Sequence, residues 1–212
     1  MTESAESLLG CIEKLKRTDV GRLIDARVKE FRKTGEESNS ELFKELCFCI
    51  LTANFNAERS IKIQAAIGDG FLTLSETQLA RKLRELGYRF PNSRAKYIAE
   101  ARRHENQLKH VLESSKDAGE AREWLAKNVK GIGYKEASHF LRNVGCTEVA
   151  IIDFHIVNML ARCALIEKPK PLSKRRYFEI EVLLKEIAEK ACLNLAELDL
   201  YLWYMETGKI LK

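Results

Sequence analysis

Turn residues are scarce in this chain, and that limits its fold more than anything else. Only 11 glycines and 3 prolines occur among 212 residues, about half the usual joint share of roughly 12%. Sandwiches, barrels and doubly wound sheets need many tight turns, and tight turns need those residues. Long helices joined by short connections do not. Apolar positions recur at helical spacing almost throughout, which predicts an all-α fold.

Local signals place the segments. Ser40 opens a stretch with Leu42, Phe43, Leu46, Phe48, Cys49, Ile50 and Leu51, apolar on more than one side and so central to a core. Asn56 is expected to cap a helix through Ile67, and Ser75 one that stops at Gly87. Asn92 starts a basic amphipathic stretch with Ala95, Tyr97, Ile98 and Ala101. Further helices are expected near Glu120–Asn128, from the Gly131–Gly133 turn to Gly145, and over Asp153–Ala164, Ser173–Lys190 and Asn194–Glu206. Lys168-Pro169-Lys170-Pro171 reads as a short loop.

Composition removes several classes. The longest run without Asp, Glu, Lys or Arg extends from Leu46 to Ala57, too short to cross a bilayer. The start, Met1-Thr2-Glu3-Ser4, lacks a basic then apolar leader. A cytoplasmic protein without membrane contact is expected. The six cysteines form no Cys-x-x-Cys pair and the four histidines no metal-ligand spacing, so they read as buried, reduced thiols and no transition-metal site is expected. The net charge of +5 is modest but unevenly spread. Nine Lys/Arg face three Glu between Arg81 and His110, and five basic residues and no acid lie between Lys168 and Arg176. Such runs are solvated helix faces or a footprint for a phosphate backbone, and charge alone does not choose.

The decisive segment is Trp124-Leu125-Ala126-Lys127-Asn128-Val129-Lys130-Gly131-Ile132-Gly133-Tyr134-Lys135-Glu136-Ala137. It reads as a helix, a Gly-x-Gly reversal and a second helix. Bare amides at a helix N-terminus bind phosphate, although glycine also serves plain helix–helix turns. Lys135 falls in the first turn of the second helix, where the dipole disfavours a cation and thereby favours a free, nucleophilic amine. Eighteen residues on, Asp153 interrupts the apolar run from Val149 to Val157. It caps the next helix, or caps it and also faces Lys135; the two roles are compatible.

These residues resemble a known family. Gly131-Ile132-Gly133-Tyr134-Lys135 followed by Ile152-Asp153-Phe154-His155 is similar to the helix-hairpin-helix superfamily of base-excision DNA glycosylases. Lys135-Glu136-Ala137-Ser138-His139-Phe140-Leu141-Arg142-Asn143-Val144-Gly145 and the tail from Trp203 to Lys212 resemble the archaeal-type 8-oxoguanine DNA glycosylase/AP lyases, along nearly the whole chain. The resemblance implies one glycosylase domain over 1–212, in two helical subdomains with the active-site cleft between them. A hairpin-bearing subdomain would span about 56–155, and the terminal helices would form the other.

It further implies a bifunctional enzyme that excises 8-oxoguanine and nicks the strand by β-elimination, acting as a monomer on double-stranded DNA in the nucleoid. Lys135 would be the nucleophile and Asp153 its electrostatic partner. Phe90 and Trp203 would sandwich the flipped base, and Lys212 would help to tell 8-oxoguanine from guanine. Asn54 would fill the gap in the helix, while Gly131, Gly133 and His155 would contact DNA. No redox cofactor is implied, and the single cysteine beyond Cys163 disfavours the four-cysteine iron–sulfur cluster of endonuclease III-like relatives. Sodium or potassium is expected on the hairpin carbonyls of Val129 and Ile132. The alternatives are an endonuclease III-like enzyme for oxidised pyrimidines and a non-catalytic helix-hairpin-helix DNA-binding module.

Overall fold

The structure is a computed structural model that describes residues 3–169 and 171–212. Every regular element among the described residues is helical, as the shortage of turn residues predicts. In chain order these are α1 (Glu3–Lys16), α2 (Asp19–Glu36), α3 (Asn39–Thr52), α4 (Ala57–Ile67), α5 (Gly70–Thr73), α6 (Glu76–Glu85) and α7 (Pro91–Ala101). A 3-10 segment (Arg102–Gln107) leads to α8 (Leu108–Ser114), α9 (Ala118–Asn128), α10 (Tyr134–Asn143), α11 (Phe154–Arg162), α12 (Lys174–Lys190) and α13 (Leu195–Thr207). None of them is long and apolar enough to cross a membrane.

The chain divides into two compact units, Arg32–Val144 and Met1–Phe31 with Gly145–Lys212. The hairpin-bearing unit therefore starts within α2, ahead of α3, and ends at the close of α10 instead of spanning about 56–155. Helix α2 runs through the division unbroken, so no linker composition marks it.

Capping chemistry accounts for many of the boundaries. The side chains of Asn56, Ser75, Ser173 and Asn194 each accept a backbone N–H three residues on, and Ser75 and Asn194 complete capping boxes with Gln78 and Glu197. Three expected starts move. Ser38, and not Ser40, caps α3; Ser40 instead donates its hydroxyl to Glu105 at 2.8 Å. Helix α7 begins at Pro91 and not Asn92, because a proline at the first helical position loses no needed N–H. Asp117 caps α9, so that helix begins at Ala118. Ala164, expected in α11, lies past its end with φ +50. In the loop expected over 168–171, Lys170 lies outside the described residues.

Unit Arg32–Val144 is assembled on α3. Every residue of α3 from Leu46 to Thr52 is buried, and α4, α5, α7, α8 and α10 pack around it. Cys47 and Cys49 are buried here despite pointing to different faces, and burial pushes the Cys47 thiol pKa up. The other cysteines depart from the expectation of burial: Cys11 and Cys192 are exposed, Cys146 and Cys163 half-buried. One polar side chain in this core, Glu45, is 5% exposed. Its carboxylate accepts from Asn143 Nδ2 at 2.6 Å and from Gln64 Nε2 at 3.1 Å, which ties α10 and α4 to α3. Asn143 in turn accepts from the Arg142 guanidinium at 2.8 Å.

In the other unit, α13 packs on α11 and α12, and α1 on α12. Its core comes from Ile156, Leu160, Ile180, Leu184, Leu198 and Leu202.

Removing a donor from a buried carboxylate costs more than a neutral hydrogen bond is worth. Asn143→Ala is expected to lower stability by about 2–3 kcal/mol, measured by urea unfolding, with the helical circular dichroism signal retained.

Candidate active site

The Gly-x-Gly reversal is present between α9 and α10. Helix α9 closes with the Val129 N–H on the Leu125 carbonyl at 3.0 Å, and the Ile132 N–H then returns to the Val129 carbonyl at 3.2 Å. Gly131 has φ +85, and a Cβ built there would lie 2.5 Å from Cδ2 of Tyr97. Glycine is required there both by the left-handed backbone and by the close ring. Gly133 differs. Its φ is −100, and a Cβ would meet only the far end of Glu136 at 3.4 Å. Nothing within the chain demands glycine at this exposed position, so the open Cα faces outward.

The hairpin is braced from behind. Arg103 and His104 both contact the Asn128 carbonyl, at 3.4 and 3.2 Å, and Lys130 lies 5.5 Å from the Tyr97 ring centre. Lys135 sits in the first turn of α10 with a side chain 26% exposed. Its Nζ is 3.4 Å from one oxygen of Glu136, whose other oxygen accepts the Gly133 N–H at 3.3 Å. Glu136 was not among the expected site residues, although a glutamate three positions after a helix cap is a readable capping signal.

Asn54 and Phe90 belong to the same unit. Asn54 follows the α3 C-cap residue Ala53, is exposed, and has φ +58, a conformation asparagine tolerates better than other side chains. Phe55 closes this turn through its N–H on the Thr52 carbonyl at 3.1 Å, and its ring packs on Tyr88 at 4.4 Å between centres. The Tyr88 hydroxyl donates to the Leu51 carbonyl at 2.6 Å. Phe90 is the N-cap residue of α7 and half-buried, with Arg89 over its ring at 4.8 Å.

Asp153, His155, Trp203 and Lys212 belong to the other unit. Asp153 Oδ1 accepts the N–H groups of His155 and Ile156 at 2.9 and 3.0 Å, so the capping role holds. The approach to Asp153 is an extended buried segment, Val149–Ile152, whose backbone is paired with side chains of α12. The Tyr177 hydroxyl donates to the Ala150 carbonyl at 2.7 Å and accepts the Ile152 N–H at 3.3 Å. Glu181 accepts the Ala150 N–H at 2.8 Å.

His155 meets the Trp203 ring edge-on, 5.3 Å between centres, and its Nδ1 lies 3.8 Å from Glu206. Arg162 pairs with Glu206, and this pairing holds the Glu206 carboxyl below its usual pKa. Phe154 is 67% exposed and lies against the His155 ring at 3.8 Å. Trp203 Nε1 is buried without a hydrogen-bond partner among the described residues. Lys212 is half-buried and not a splayed end.

A family model described as 8-oxoguanine DNA glycosylase matches residues 24–193. The chain belongs to that family. It is 55% identical over 206 residues to the 8-oxoguanine DNA glycosylase/AP lyase of Methanocaldococcus jannaschii, covering 97% of this chain and 99% of the relative. It is 44% identical over 207 residues to the enzyme of that name from Thermotoga maritima, covering 97% and 99%. A crystal structure of the M. jannaschii glycosylase/lyase in complex with a 15mer DNA containing 8-oxoguanine has a TM-score of 0.94, covering 97% of this chain and 100% of that one. The all-α helix-hairpin-helix fold is thus the fold of this 8-oxoguanine glycosylase family member.

The two hairpin glycines are expected to behave differently. Gly131→Ala combines left-handed strain with a ring clash and should cost at least about 2 kcal/mol. Gly133→Ala should cost no more than about 1 kcal/mol, the difference between glycine and alanine at a cap. Thermal unfolding of the two variants checks the contrast.

Proposed function

We propose that the chain is a bifunctional base-excision repair enzyme that removes 8-oxoguanine from double-stranded DNA and then cleaves the strand at the abasic site. The observation that carries this reading is the end-to-end similarity to enzymes named 8-oxoguanine DNA glycosylase/AP lyase. Lys135 and Asp153, each in or at the first turn of a helix, supply the chemistry it needs.

The hairpin seats a phosphate with the amides at the α10 N-terminus, and the open Cα of Gly133 permits close approach. Asn54 enters the stack where the damaged nucleotide has left. Phe90 and Trp203 hold the flipped base between their rings, an arrangement worth roughly 1–3 kcal/mol for each stacked face. Lys212 contributes to distinguishing 8-oxoguanine from guanine, and His155 contacts the backbone.

Lys135 leaves Glu136 and, as the free amine, attacks the anomeric carbon. The bond from that carbon to the base breaks, and the base departs with the proton that the attacking nitrogen sheds. One Asp153 oxygen is committed to the helix cap; the other is left to stabilise the positive charge growing on the sugar. The sugar ring then opens to a Schiff base on Lys135. Loss of a proton from the adjacent sugar carbon expels the 3′ phosphate and nicks the strand.

No net oxidation occurs, so the proposed reaction draws on no redox cofactor. The hairpin carbonyls of Val129 and Ile132 are neutral oxygen donors of the kind sodium or potassium accepts, and an ion there would offset phosphate charge. The enzyme would act as a monomer in the cytoplasm, on the nucleoid.

Borohydride reduction during turnover on 8-oxoguanine duplex is expected to trap a covalent protein–DNA adduct. Lys135→Ala should abolish it, and an adduct that persists removes Lys135 from its role. Asp153→Asn should lower single-turnover excision by about a hundredfold or more, the scale of a lost charge-stabilising group, with DNA binding retained.

A further inference from the structure

Unit Arg32–Val144 holds three of the parts assigned above: the Asn54 turn, the Phe90 ring and the hairpin. One side chain links them. Arg94, in the first turn of α7, donates from Nη2 to the Ala53 carbonyl at 2.8 Å, across 41 residues of sequence. That carbonyl belongs to the α3 C-cap and immediately precedes Asn54. The last carbonyls of a helix have no partner within it, so an outside donor determines how the chain leaves. Here the donor is Arg94, and Asn54 departs with φ +58.

The same guanidinium lies 5.8 Å from the centre of the Phe90 ring and 5.5 Å from that of Tyr97. Tyr97 is the ring pressed against Gly131. Arg94 thus touches the wedge turn by a hydrogen bond, the base platform by a ring face, and the hairpin through Tyr97. Its Nε is buried with no hydrogen-bond partner among the described residues. A buried donor without a partner costs stability, so the guanidinium is oriented by its other contacts, the Ala53 carbonyl and the two rings. A flat guanidinium stacks on rings and donates in its plane at the same time; a lysine ammonium does not.

We infer that Arg94 is the positioning residue that keeps Asn54 and Phe90 in mutual register, so that nucleotide flipping and base capture occur together. The inference rests on the roles proposed for Asn54 and Phe90. In this role Arg94 acts through Asn54 and Phe90 and not by its own contact with the base or the sugar.

The test compares Arg94→Lys and Arg94→Ala, each alone and in an Asn54→Ala background, at a temperature where circular dichroism shows all variants folded. The full-length enzyme acts on a duplex with 8-oxoguanine beside 2-aminopurine, whose fluorescence reports unstacking, and on a duplex with a preformed abasic site. Both Arg94 variants are expected to lose about tenfold or more in 8-oxoguanine excision, the scale of one charge-assisted hydrogen bond, together with the fluorescence rise. Borohydride trapping at the preformed abasic site, which needs no base platform, should stay near the native level. In the Asn54→Ala background, changing Arg94 should have no further effect on the fluorescence.

Native excision by Arg94→Lys overturns the proposal. So does an equal loss on both substrates that adds to Asn54→Ala, which would mark a merely structural residue. If Arg94→Ala does not fold, Arg94→Lys decides alone. Parallel Asn54→Ala and Phe90→Ala variants separate the two levels: native excision by both overturns the site assignment itself, whereas their loss beside an active Arg94→Lys overturns only the role of Arg94.

Discussion

Burial of α3 on every side from Glu45 to Thr52 is the constraint on which unit Arg32–Val144 depends. A helix stretch buried on all sides has no neutral place for a charged residue, yet this one carries Glu45 inside the core. Such a group persists only if donors meet it, and Asn143 and Gln64 do so from α10 and α4. Satisfying one carboxylate therefore fixes how α10 lies along α3. Helix α10 carries Lys135 in its first turn, and α3 ends at the Asn54 turn. The candidate nucleophile and the candidate wedge are thus positioned from one buried helix.

The second unit solves a different problem. Val149–Ile152 is apolar and buried, and no strand among the described residues lies beside it to take its backbone groups. An unpaired buried amide or carbonyl is costly, so side chains replace the missing ladder. Tyr177 serves one carbonyl and one N–H, and Glu181 another N–H. Both come from the long helix α12, which gives the segment a rigid backing. Asp153 leaves this segment with its direction set, and spending Oδ1 on the α11 cap fixes its rotamer as well. The cap engages one oxygen of the carboxylate, and the chemical duty proposed for Asp153 would fall on the other.

How much of this was legible from residue order follows from the range of each interaction. The caps at Asn56, Ser75 and Asp153 act within three residues and are read directly from sequence. Ser173 and Asn194, expected as the first residues of their helices, prove to be the caps just before them. Ser38 and Ser40 carry the same capping chemistry two residues apart, and only the distant partner of Ser40, Glu105, decides between them. One crossing of the unit division lies inside α2, where the helix runs unbroken past Gly35 and so carries no linker to read. Lys135 and Asp153 stood out because each sits against its surroundings, a cation at a helix start and a carboxylate in an apolar run. Arg94 did not, since one more arginine in a basic stretch acquires its role only from Ala53, 41 residues away.

The modest net charge also takes on a different sense. Several cations on unit Arg32–Val144 are spent on carboxylates: Lys44 on Asp69, Lys96 on Glu100, Lys127 on Glu123. Others rest on rings instead. Arg59 lies over Phe55, Arg89 over Phe90, and Arg94 over Phe90 and Tyr97. A carboxylate partner cancels a cation's field, whereas an aromatic face fixes the cation in place and leaves its charge intact. Affinity for a phosphate backbone depends on how many phosphates are neutralised, not on the sum of charges over the chain. In a chain at +5 overall, the arginines of this unit that stand on rings keep their charge beside Phe55 and Phe90, next to the Asn54 turn.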